Sequence, residues 1–113
     1  MDFKRLLIAI CAYNRPKSLR RLLQSLENNI DIDQVDIIIS VDFSGSDACS
    51  DEASVFAERH NGTTIIRHGS RLGLFRNITS TASYVRDYEA VIMLEEDVFC
   101  HPQTVEFAVS ALS

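Results

Sequence analysis

Apolar residues fall along the chain in two alternating rhythms. Short, largely β-branched runs are followed by stretches in which apolar side chains recur every three or four positions. The first run, RLLIAICAY, covers residues 5–13. Pro16 then suits the first turn of a helix, and Leu19, Leu22, Leu23 and Leu26 keep helical spacing up to the terminators Asn28 and Asn29. The second run, VDIIISVD over residues 35–42, holds three consecutive isoleucines, the mark of a strand buried on both faces of a parallel sheet. A loop, FSGSD, leads to a weaker helical segment, ACSDEASVFAERH, which Asn61-Gly62 breaks. TTIIRH predicts a third strand. Beyond Gly69 and Gly73, LFRNITSTASYVRDY predicts one helix with Leu74, Ile78, Ala82 and Val85 on its apolar face. AVIML, starting at Ala90, predicts a fourth strand. Pro102 then opens a last helix whose apolar positions are Val105, Phe107, Ala108 and Leu112.

Strand–helix alternation of this kind implies an α/β fold: a parallel sheet of four strands with helices on its faces, a Rossmann-like three-layer sandwich. No linker or low-complexity tract divides the chain, so residues 1–113 are expected to form one domain. In such sheets ligands gather at the carboxyl ends of the strands. Those ends carry Tyr13-Asn14-Arg15-Pro16, then Asp42 with SGSD, then His68, Gly69 and Arg71, and last Glu95, Glu96 and Asp97. A rim that mixes aromatic, basic and acidic groups suits a charged, partly planar ligand. Glu95 and Asp97 are two apart, so in an extended strand end they point the same way. Converging carboxylates repel unless a cation lies between them or one stays protonated. A hard cation such as Mg²⁺ or Mn²⁺ would balance them while also taking phosphate oxygens. Solvated acids at a loop start, or acids capping the next helix, fit the same three residues.

Composition narrows the choice of partner. Hydrophobic residues make up 46% and charged ones 24%, enough for a core and against disorder. A net charge of −5 argues against a nucleic-acid binder but leaves a small anionic ligand open. Cys11, Cys49 and Cys100 are scattered and form no CxxC, so neither a disulfide framework nor a thiolate zinc site is expected; reduced thiols suit a cytoplasmic protein. Lys4 and Arg5 before LLIAICA mimic a short signal peptide, yet the run flows into the domain pattern, and Ile10 before Cys11 makes a poor lipoprotein cleavage site. No stretch reaches the roughly 20 apolar residues of a membrane span. The sequons at Asn61 and Asn77 are triplets common by chance, and His60, His68 and His101 are too scattered to suggest a metal. A dinucleotide-binding domain would need GxGxxG after the first strand, and a receiver domain would need acids there; Tyr13-Asn14-Arg15 is neither.

With these segments in order, the chain resembles the nucleotide-binding half of GT-A-fold glycosyltransferases, particularly the family-2-like nucleotide-sugar enzymes. ICAYNRPKSLRRLLQSLEN is similar to their opening strand, turn and Leu-rich helix. IIISVDFSGSDA is similar to their strand ending in Asp, RLGLFRNITSTA to the Gly-rich turn before an Arg-Asn pair, and VIMLEEDVFCHP to the Asp-x-Asp-type metal motif. The resemblance implies that Ala12, Tyr13, Asn14 and Arg15 line the base and ribose pocket. It implies that Asp42 accepts a hydrogen bond from the base, typically uracil, and that Arg71 and Arg76 serve the nucleotide or its phosphates. It further implies that Asp97 binds Mn²⁺ or Mg²⁺, with Glu95 near the ribose or the metal's waters and Glu96 beside them. The partner so implied is a nucleotide-sugar donor, UDP-type, with an unknown acceptor. Structural roles fit several of these residues as well: strand-end packing for Tyr13, helix capping for Asn14, turn formation with Ser44 for Asp42, and helix surface for Arg76.

Two departures from the family pattern stand out. Phe43 follows Asp42 where a second Asp is commoner, and Glu fills the first two places of the metal motif. The family's acceptor-binding half and its usual catalytic base lie beyond that motif, so no catalytic residue is assigned. A truncated GT-A unit, a piece of a longer enzyme, and a short non-catalytic nucleotide-binding or assembly module are all expected alternatives. Apolar surface exposed at a shortened edge would favour a homo-oligomer.

Overall fold

The computed structural model describes residues 6–111. Strands β1 (Leu6–Ala12), β2 (Asp36–Val41), β3 (Thr63–Arg67) and β4 (Ala90–Glu95) form one parallel sheet in the order β3-β2-β1-β4. Among the described residues five α-helices accompany it, α1 (Pro16–Glu27), α2 (Ala48–Arg59), α3 (Leu74–Thr79), α4 (Ala82–Val85) and α5 (Thr104–Ala111), with a short 3-10 turn at Ile32–Gln34. The expected α/β three-layer, Rossmann-like arrangement is therefore present. Among the described residues no helix is long and apolar enough to cross a membrane.

Central β1 has neighbours on both sides and layers on both faces, and all seven of its residues are buried. Leu6, Ile8 and Ile10 join Ile37 and Ile39 of β2 in a core cluster with Leu19, Leu22, Leu23 and Leu26 of α1, Ala53 and Phe56 of α2, and Val105 and Val109 of α5. The four leucines of α1 form one stripe that recurs at helical spacing, and Pro16 occupies its first turn, where a missing N–H costs nothing. On the opposite face, Asn77 of α3 lies against Ser40 of β2. The chain thus runs outward from β1 through β2 to β3. It then crosses back over the other face, by way of α3 and α4, to β4 on the far side of β1. The direction of winding reverses beside β1, and a crevice opens at such a reversal.

Two expectations fail. The single helix expected over 74–88 is two short ones, and its buried positions are Asn77 and Thr81, while Leu74 is exposed. Three consecutive hydroxyl residues explain the break. Thr79, Ser80 and Thr81 donate their side-chain O–H groups to the carbonyls of Arg76, Asn77 and Ile78, which offers the backbone an alternative to continued helix. In α5 the buried pair is Val105 and Val109, four apart, while Phe107 is 77% exposed. Leu112, like Lys4 and Arg5, lies outside the described residues.

Candidate functional site

A cavity of about 420 Å³ opens where β1, β2 and β4 end. Of the residues proposed from sequence, Ala12, Tyr13, Asn14, Arg15, Asp42, Arg71, Glu95, Glu96 and Asp97 all line it. Arg76, exposed on α3, lies outside that lining. The parallel sheet is what gathers them, because each group follows the carboxyl end of a different strand.

Asp42 is only 4% exposed, and its carboxylate is the clasp of the loop that follows β3. Oδ1 accepts the N–H groups of Leu72 at 2.7 Å and of Phe43 at 2.9 Å, and Oδ2 accepts that of Gly73 at 2.9 Å. Burial opposes its ionisation most strongly, but the amides of Leu72, Gly73 and Phe43, with the charge of His68, together hold its carboxyl below the usual range. Three donors fill three of the four lone-pair positions, so one acceptor position on Oδ2 remains. Gly73 makes the clasp possible, since its φ of 82° and ψ of 163° belong to a region that side chains forbid. The same loop carries Arg71, whose guanidinium lies over the Tyr13 ring at 4.7 Å from the centroid, within cation–π range.

The acidic strand end divides its labour. Glu96 Oε2 accepts the N–H groups of Tyr13 at 3.0 Å and Arg15 at 3.2 Å. The Cys49 thiol lies 3.8 Å from the same oxygen, and burial first, then the charge of Glu96, pushes that thiol up to about 11, so it stays protonated. Asn14 does not cap α1; the helix has no side-chain cap, and its first residue after the loop begins beside the amide that Glu96 holds. Glu95 and Asp97 are exposed instead. Asp97 Oδ2 stands 3.9 Å from Arg15 Nη1, and with both side chains more than half in solvent that pair is screened and weak. Burial and then Glu95 raise the Cys11 thiol to about 11, so it stays protonated at neutral pH.

Among the described residues no group of three or more His, Cys, Asp or Glu is arranged to hold a metal. Glu95 and Asp97 offer only hard carboxylate oxygens, a donor set suited to Mg²⁺ or Mn²⁺ when phosphate oxygens and water complete the sphere.

A buried polar knot beneath the cavity escaped the sequence reading. Asn77, 2% exposed, donates through Nδ2 to the carbonyls of Ala12 and Ser40, both at 3.2 Å, and accepts from the Ser40 hydroxyl. Since Ser40 and Ser80 donate to Asn77, both hydroxyl oxygens face His68 Nε2 as acceptors, at 2.9 and 3.3 Å, and that nitrogen carries a proton. Asn77 registered only as a sequon and as half of an Arg-Asn pair; its burial rules out carrying a glycan in the folded chain. The signal available was the hydroxyl run 79–81, which foretells an irregular helix.

The parallel sheet, the winding reversal at β1 and the acid-tipped β4 fit the resemblance to the GT-A type of fold. Residues 7–113 match the model of glycosyl transferase family 2, and the chain belongs to that family. Solved structures share its fold, among them the following two. TarS of S. aureus does so with a TM-score of 0.80 at 16% identity, over 94% of this chain and 19% of that one. The mannosyltransferase PcManGT from Pyrobaculum calidifontis, in complex with GDP-Man and Mn²⁺, does so with a TM-score of 0.77 at 18% identity, over 96% of this chain and 32% of that one. The chain thus spans about a fifth and a third of their lengths. No curated protein sequence matches it.

Proposed function

We propose that this chain is the nucleotide- and metal-binding part of a glycosyltransferase that takes a sugar from a nucleotide-diphosphate sugar, UDP-type, to an acceptor. One observation carries the reading: aromatic, basic and acidic groups from four strand ends converge on a single cavity at the winding reversal, with Asp97 on its rim. The remaining acceptor position on Asp42 suits one N–H of a base such as uracil, and the face of Tyr13 suits its ring or the ribose. Arg15 and Arg71 supply positive charge where a diphosphate would lie. Glu95 and Asp97 would hold Mn²⁺ or Mg²⁺, which supplies Lewis-acid stabilisation of charge growing on the departing diphosphate. The mannosyltransferase relative, solved with GDP-Man and Mn²⁺, supports a donor and a cation of these classes.

Calorimetric titration of the chain with UDP, with and without Mn²⁺, tests this. Binding that Mn²⁺ strengthens is expected; no heat at millimolar ligand in either condition would refute the reading. A non-catalytic nucleotide-binding or assembly module is separated by a second assay. Metal-dependent release of UDP from UDP-sugars, lost in Asp97→Ala, would exclude it.

A further inference from the structure

We propose that Glu96 is a positioning residue: its carboxylate fixes the Tyr13–Arg15 loop and thereby holds the base end and the cation end of the cavity in one geometry. This rests on the nucleotide-sugar reading above. The sequence places Glu96 between two acids that face the cavity, which suggests a third ligand-facing group. In the structure it lines the same cavity, but its carboxylate is engaged by the protein's own backbone. One oxygen, Oε2, meets the N–H of Tyr13, the N–H of Arg15 and the thiol of Cys49, so the ends of β1, α2 and β4 converge on it.

The loop joining β1 to α1 is Tyr13, Asn14 and Arg15, and two of its three amides are held by a residue more than 80 positions later in the chain. No local side chain caps α1, and Glu96 holds the N–H of Arg15, the N-cap residue, as the acid of a capping box does. Both ends of the cavity hang from this loop. Tyr13 carries the Arg71 guanidinium on its ring, and Arg71 precedes the Leu72 and Gly73 amides that Asp42 clasps. Arg15 stands opposite Asp97. Releasing the loop would loosen the nucleotide side and the cation side together.

Reach and charge can be separated by substitution. Glu96→Gln keeps the length, and its carbonyl oxygen has two lone pairs for the two amides. Glu96→Asp keeps the charge but is shorter by one carbon–carbon bond, roughly 1.5 Å. A tether needs reach, so Gln should substitute and Asp should not. A group touching the cation or diphosphate would show the opposite order, because charge is what such a ligand requires.

The experiment combines amide hydrogen exchange at Tyr13 and Arg15 with UDP titration in Mn²⁺, on the full chain, for wild type, Glu96→Gln, Glu96→Asp and Glu96→Ala. Thermal melts fix a temperature at which every variant is folded. Exchange at both amides should quicken by about tenfold or more in Ala and Asp and stay within about threefold in Gln. UDP affinity should follow the same order, about tenfold weaker in Ala and Asp and near wild type in Gln. Unchanged exchange in Glu96→Ala overturns the tether. Faster exchange with unchanged affinity overturns the positioning role, and affinity kept in Asp but lost in Gln makes Glu96 a ligand. Should wild type itself bind no UDP, the functional reading fails and the positioning role falls with it, while the exchange data still report whether the tether exists.

Discussion

Every residue of β1 and β2 except Asp36 is buried, whereas no residue of β3 or β4 is. The inner strands are covered on one face by α1, α2 and α5 and on the other by α3, and they pair along both edges. Each outer strand leaves one edge unpaired within the sheet, and apolar side chains stand exposed on α3 (Phe75), on β4 (Met93) and beyond it (Phe99 and Phe107). The contrast maps onto the cavity. Tyr13, Asn14, Arg15 and Asp42 follow the inner strands, while Arg71, Glu95 and Asp97 follow the outer ones. Groups proposed to read the base are thus set on the densely packed half. Of the charges proposed to meet the diphosphate and its cation, Arg71, Glu95 and Asp97 sit on the half with the thinner cover, where local opening costs less, and Arg15 on the packed half.

The largest effect should come from deleting core volume in the inner half. Ile39→Ala is expected to cost about 3–4 kcal/mol and Ile65→Ala in β3 about half that, read from urea unfolding midpoints. Equal costs would erase the contrast between the halves. Next comes Asp42→Ala, which strands three amide donors and should cost about 2–3 kcal/mol. The pH dependence follows from the same carboxylate. Its folded pKa lies below the ordinary value of 3.8, so its contribution is complete above that value and fades as pH falls through the lower folded one. Acid titrations should therefore show wild type losing its advantage over Asp42→Asn below pH 3.8. Asp97→Ala should leave the melting temperature in place and remove the Mn²⁺-dependent part of UDP binding, a loss of about tenfold, or 1.4 kcal/mol. A loss of equal size without Mn²⁺ would detach Asp97 from the cation. Smallest of all, Phe107→Ser should change stability by less than about 0.5 kcal/mol, since its ring is already in water. A clear destabilisation there would mean that the ring is covered in solution.

What the sequence disclosed and what it hid follow from the range of the interactions involved. The stripe in α1 and the isoleucines of β2 are local patterns, and both elements appear within a residue or two of where the pattern puts them. Strand ends were equally legible, because parallel alternation alone carries Tyr13, Asp42, Arg71 and Asp97 to one rim. Roles that depend on distant partners were not. Asp42 clasps amides about 30 residues away, and Glu96 holds amides more than 80 away, and neither pairing leaves a periodic trace. Polar burial misled the reading at Asn77, where a hydrogen-bonded amide took the inward place that hydropathy assigned to Leu74. In α5, Val109 took the place assigned to Phe107, because Val105 and Val109, at i and i+4, share the helix face that joins the core cluster.

Cys11, Cys49 and Cys100 are free and buried at three different places: the cavity floor, the start of α2, and the turn beyond β4 that meets Ser25. Burial raises all three above their ordinary range, to about 11 for the first two. At neutral pH an alkylating reagent can therefore reach a given sulfur only after its surroundings have parted. Mass spectrometry of timed labelling would resolve which neighbourhood parts first and whether nucleotide slows it, so the native chain needs no introduced reporter for its own breathing.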